Sequence, residues 1–180
     1  MTLEKVLQKV MVALDEAEGN SLSANMTDYK TKIYECIDSC QRELAIFVNE
    51  ILKREKITVI DGIGDLPLDC FEIKSLRDGN KRISYSKIPV NSITAPDGEY
   101  SLVYAAYPQK IDETTALAYN LEISPEASEA LIYGVCAGLC INDEPELYST
   151  YMDRYGGMCR SITERKEKYP KGEITGGVRL

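Results

Sequence analysis

The sequence predicts an α+β fold, mainly a helical bundle, with a small antiparallel β insertion between the second and third helices and an extended C-terminal tail. Three observations predict it. Apolar residues recur at three and four along both ends of the chain, the period falls to two between Lys56 and Pro108, and the last residues carry Gly172, Gly176 and Gly177 with no apolar period. The expected organisation is one domain: a helix pair over 1–55, the β insertion over 56–108, a second helix pair over 109–169 completing the bundle, and the tail over 170–180.

The first helix is expected from about Thr2 to Glu18, where Leu3, Val6, Leu7, Val10, Met11 and Leu14 form one stripe. The second, about Asp28 to Lys53, carries Ile33, Cys36, Ile37, Cys40, Leu44, Phe47, Val48, Ile51 and Leu52 on one face. In the insertion, Ile57-Thr58-Val59-Ile60 is rich in β-branched residues, and Asp61-Gly62, Asp78-Gly79 and Asp97-Gly98 supply residues that tolerate φ > 0 in turns. Its last strand runs from Glu99 to Pro108, where proline removes a ladder donor. The third helix opens on Ser124-Pro125-Glu126, with a hydroxyl at the cap, proline in the first turn and a carboxylate on the positive end of the dipole. From Ala130 to Ile141 it carries no charge, so most of its sides should be buried. The fourth, from about Pro145 to Lys168, is interrupted by Gly156-Gly157, which predicts a kink or close packing there.

The chain has 180 residues and a net charge of −8, which argues against a nucleic-acid binder. Distribution says more than the sum. Nine carboxylates (Asp112, Glu113, Glu122, Glu126, Glu129, Asp143, Glu144, Glu146, Asp153) fall between Ile111 and Asp153 with no Lys or Arg among them, whereas basic residues dominate from Arg154 to Lys171. Such asymmetry partly complements the helix dipole and otherwise suits head-to-tail contact between identical subunits. The opening Met1-Thr2-Leu3-Glu4-Lys5 leads into an amphipathic helix, and the longest apolar run is far below the roughly 20 residues that span a bilayer, so no membrane association is expected. A cytosolic product is expected, with the six cysteines as thiols.

Candidate chemistry is sparse. The pairs Cys36/Cys40 and Cys136/Cys140 each place two sulfurs on one helical face, where zinc could recruit four thiolates, but all four fall on apolar stripes and read as core. The chain has no histidine, the commonest partner of a cysteine nucleophile. The clustered carboxylates Asp112-Glu113 and Asp143-Glu144 with Glu146 sit where capping and solubility explain them. Gly62-Ile63-Gly64 lacks the helix and lysine of a phosphate loop. The expectation is therefore a protein without catalytic residues, metal or cofactor.

The stretch Gly98-Glu99-Tyr100-Ser101-Leu102-Val103-Tyr104-Ala105-Ala106-Tyr107-Pro108, the acidic connector Ile111-Asp112-Glu113-Thr114-Thr115, the opening Leu121-Glu122-Ile123-Ser124-Pro125-Glu126, the small-residue helix Ala130 to Ala137 and the Tyr-rich helix Tyr148 to Tyr155 occur in an order that resembles the head-to-tail connector (adaptor, or neck) proteins of tailed bacteriophages. The resemblance covers about Tyr29 to Arg160. It implies a non-enzymatic virion component, made in the bacterial cytoplasm and located in the neck. There it would form a homo-oligomeric ring of roughly twelve copies between the portal protein and the tail or stopper proteins. Genomic DNA would pass through without specific binding, repelled by the carboxylates. It also implies portal docking through the tail, at Tyr169, Pro170, Lys171, Arg179 and Leu180. The β insertion departs from the purely helical connectors. The alternative reading is a monomeric acidic cytosolic interaction module, such as an inhibitor that mimics nucleic acid.

Overall fold

A computed structural model describes residues 1–14, 26–142 and 144–168. Four helices flank seven strands: α1 (Leu3–Ala13), α2 (Met26–Phe47), β1 (Ile51–Val59), β2 (Ile63–Asp65), β3 (Cys70–Asp78), β4 (Lys81–Arg82), β5 (Ser86–Ile88), β6 (Ser92–Thr94), β7 (Gly98–Ala106), α3 (Pro125–Cys140) and α4 (Pro145–Lys168).

The expectation of a mainly helical bundle with a small β insertion is not met. The middle of the chain forms a β-sheet core of two antiparallel sheets, strands make up 28% of the structure, and the helices lie toward the ends of the sequence. The larger sheet has the order β1-β7-β3-β4 and the smaller β2-β6-β5. Their facing sides share a core in which Ile57, Val59, Leu76, Tyr100, Leu102 and Tyr104 meet Leu66 and Ile93. The physical reason for the error lies at residues 51–55. Ile51 and Leu52 extend the α2 stripe at helical spacing, but Ile51 to Val59 alternates equally well, and nine cross-strand pairs with β7 from Ile51↔Ala106 to Val59↔Gly98 outweigh the helix propensity of Leu-Lys-Arg-Glu-Lys. Helix α2 stops instead at Phe47, where the N–H groups of Val48 and Asn49 both converge on the Leu44 carbonyl.

Turn chemistry separates the sheets. Asp61 and Gly62 both have positive φ, 52° and 78°, as a two-residue turn requires, and Ile60 bridges Ile63 across it. Gly64 then lies so close to β1 that a Cβ there would meet Val59 Cγ2 at 2.8 Å. The expected hairpin at Asp97-Gly98 is instead a crossover, because β6 belongs to the smaller sheet and β7 to the larger. Asp97 stabilises it by accepting the Gly62 N–H at 2.7 Å.

Helix α3 is the hub of a second cluster, packed by α1, α2 and α4. Ser124 caps it, its hydroxyl accepting from the Ala127 N–H at 3.2 Å, and Pro125 occupies the first turn. Its small residues admit close neighbours: a Cβ on Gly134 would meet Cys40 Sγ at 3.0 Å and the Tyr155 ring at 3.1 Å, and one on Gly138 would meet Cys36 Sγ at 3.0 Å. Ile51 packs against both clusters and so joins them at the start of β1.

Candidate functional site

The cysteines fill the helical cluster. Cys36 and Cys40 on α2 face Gly138 and Gly134 of α3, and Cys136 lies against the Val10 carbonyl at 3.9 Å. Burial pushes the Cys40 and Cys136 thiols up to about 12, and raises Cys36, Cys70 and Cys159 as well. Thiols so placed are protonated at neutral pH and act as small apolar groups. No group of three or more Cys, Asp or Glu among the described residues is arranged to hold a metal ion.

A polar cluster that the sequence did not signal sits on the core side of the larger sheet. Tyr104, fully buried on β7, has its hydroxyl 2.9 Å from Glu55 Oε1 and 3.2 Å from Asp69 Oδ1, while Lys53 Nζ donates to Asp69 at 2.8 Å and lies 3.8 Å from Glu122. Desolvation, and then the hydrogen bond to Glu55, hold the Tyr104 phenol protonated far above its usual range. The hydrogen bond to Asp69 raises Lys53. With the phenol neutral and the ammonium charged, the cluster provides no base for proton abstraction near neutrality and acts as a latch between β1, β7 and the β2–β3 loop. Only the register of β1 against β7, which puts Lys53 opposite Tyr104, brings these groups together.

The acidic run divides once folded. Glu129 pairs with Lys9 at 2.5 Å and Glu122 accepts the Gln109 N–H at 2.9 Å. The side-chain hydrogen bond from Thr114 holds Asp112 below the usual carboxylate range, and Glu126, in the first turn of α3, is lowered by its own N–H and by Ser124. Glu113, Glu144, Glu146 and Asp153 remain exposed, and Asp143 lies outside the described residues. The carboxylate that binds most backbone is elsewhere: Asp38 of α2 accepts the Ile111 N–H at 2.8 Å and Arg42 Nε at 3.0 Å, tying the connector to the helix.

The side of the larger sheet away from its core is open to solvent over most of its area. Register places Arg54 beside Val103 and Ser75, and the next row, Lys56, Ser101, Arg77 and Arg82, crosses all four strands with three cations. On α4 the buried residues are Tyr151, Tyr155 and Ile162. The opposite face, at helical spacing, presents Glu146, Thr150, Asp153, Gly157, Arg160 and Glu164. The helix runs unbroken through Gly156-Gly157, and a Cβ on Gly157 would meet nothing within 4 Å, so the close packing expected there is not supplied by this chain. The expected portal-docking residues Tyr169, Pro170, Lys171, Arg179 and Leu180 lie outside the described residues. The last described turn of α4 is fixed nearby by Lys166 Nζ, which donates to the Val48 carbonyl.

No protein-family model matches the chain, and no curated protein matches it. Among the described residues no helix is long and apolar enough to cross a membrane.

Proposed function

We propose that the chain is a non-enzymatic assembly subunit, a head-to-tail connector that forms a ring between a phage portal and the tail or stopper proteins, with genomic DNA passing through. The observation that carries the reading is the surface distribution of charge. Exposed carboxylates gather in the connector and at the start of α4 (Glu113, Glu144, Glu146, Asp153), while cations cross the open sheet face at Arg54, Lys56, Arg77 and Arg82. A subunit with opposite charge on separate faces is built to meet copies of itself, and a predominantly acidic ring resists adhesion to phosphate. The element order behind the resemblance adds support: β7 ends at Ala106 before Tyr107-Pro108, the connector follows, and α3 opens on its Ser124 cap.

Co-assembly tests the reading. Mixed with the portal protein encoded in the same genome, the chain should add a ring of density to the portal dodecamer or its equivalent. A pair that stays separate across a wide salt range refutes it, and a monomer that instead competes with DNA for a basic protein identifies a nucleic-acid mimic.

A further inference from the structure

We propose that the outer face of α4 in one copy packs across the open face of the larger sheet in the next copy, head to tail. The proposal rests on the reading of the chain as a homo-oligomeric subunit and specifies the two surfaces that would join.

The sheet face needs an anionic cover. Arg77 on β3 stands directly opposite Arg82 on β4, with Lys56 in the same row two strands away. Like charges placed opposite one another on a ladder destabilise it. The carboxylates nearby do little to offset them. Glu72 and Glu50 are both engaged by Lys74, at 2.8 and 2.7 Å, which leaves Glu99 at the far end beside Thr58. Between the cations the surface is low, formed by Ser101, Val103 and Ser75.

The helix face supplies the complement. Glu146 and Asp153 lie seven residues apart on one exposed stripe, with Thr150 between them and Gly157 one turn beyond. Glycine inside a helix sacrifices stability relative to alanine. At Gly134 and Gly138 the sacrifice is explained by sulfur and ring atoms that leave no room for a Cβ. Nothing in the same chain occupies the space over Gly157. A flat, acidic helix face and a flat, basic sheet face, both uncovered in one subunit, fit each other in charge and in relief. Because they are different surfaces of the same molecule, the contact is heterologous and generates a ring when the rotation closes.

A charge swap measured by sedimentation velocity tests this. Wild type should self-associate at low salt and dissociate as salt is added. Arg54→Glu/Lys56→Glu, with acid on both surfaces, and Glu146→Lys/Asp153→Lys, with base on both, should each be monomeric. Mixed together, the two variants should associate again, because every contact then joins opposite charges. Gly157→Ala provides a second arm: the isolated subunit should melt about 2–4 °C higher, since a better helix former replaces glycine, while self-association weakens at least about tenfold. Wild type that remains monomeric at every concentration and salt overturns the proposal, as do single variants that associate like wild type, a mixture that stays monomeric, or Gly157→Ala associating normally. Duplex DNA binding by wild type that is lost in Arg54→Glu/Lys56→Glu overturns it in favour of nucleic acid on the sheet face. Charge-swap rescue without portal binding leaves the contact standing and removes the connector assignment, so the two readings fail separately.

Discussion

Replacing Asp38 tests how the β region is fixed to the helices. One carboxylate, its side chain 15% exposed, accepts the Ile111 N–H at 2.8 Å, Arg42 Nε at 3.0 Å and, more weakly, Gln41 Nε2 at 3.3 Å. Ile111 is 1% exposed, so in Asp38→Ala its N–H loses its acceptor where water replaces it poorly, at a cost of about 1–3 kcal/mol. The pair with Arg42 is an i,i+4 contact with a half-open cation, and contributes about 0.3–0.5 kcal/mol. Alanine returns roughly 0.5 kcal/mol through helix propensity. The net expected loss is about 2 kcal/mol, which lowers Tm by about 4–8 °C in a chain of this length. Asp38→Asn retains an oxygen for Ile111 and loses only the ionic component, so it should cost well under half as much. Urea unfolding followed by circular dichroism measures both. Equal losses in the two variants, or Asp38→Ala within experimental error of wild type, would refute the assignment of the latch to the Ile111 amide.

Gly134→Ala should destabilise, because overpacking against Cys40 Sγ and the buried Tyr155 ring costs about 1–3 kcal/mol against a propensity gain near 1; a rise in Tm would mean that both neighbours yield. Val90→Gly should raise stability by about 1 kcal/mol, since Val90 is 92% exposed and holds φ at 69°, a conformation hostile to a β-branched residue; a lower Tm would show that the side chain makes a necessary contact. The thiols predict alkaline lability. Cys40 and Cys136 titrate at about 12 when folded against a model value of 9.0, so their contribution is fully present below pH 9 and is lost as pH rises toward 12. The expected slope is about 1.4 kcal/mol per pH unit for each thiol across that window, and urea unfolding between pH 8 and pH 11 reads it against Cys136→Ala. A slope unchanged in the variant would show that other groups govern the loss.

Helices were more legible than the sheets because their evidence is local. Ser124-Pro125-Glu126 marks the start of α3 through hydrogen bonds that span three residues, and the uncharged run that follows requires burial whatever covers it. Strand pairing is not local. The segment from Ile51 to Lys53 satisfies a helical and an alternating period together, and only β7, some fifty residues later, decides between them. The Asp97-Gly98 pair marked a real break in the chain but could not reveal that the flanking strands enter different sheets. Both errors had one direction: they enlarged the helical region and reduced two sheets to one.

The same distinction governs the surfaces. The run of carboxylates was visible in the sequence, yet folding commits Glu129 to Lys9 and places Glu122 against the Gln109 amide, so the count of nine overstates the acidic surface. The basic row was hidden for the opposite reason. Lys56, Arg77 and Arg82 come from three strands separated by up to about twenty-five residues, and each is an ordinary solvent-facing cation in its own strand. Register alone aligns them. A charge pattern that is contiguous in sequence therefore exaggerates a patch, while a patch assembled across a sheet leaves no local trace. The glycine at 157 is intermediate: its cost is legible in any helix, but whether the chain itself uses the vacant space is decided only by the neighbours that folding brings to it. At Gly134 folding brings a sulfur and a ring, and at Gly157 it brings nothing, which is why the second glycine points beyond the subunit and the first does not.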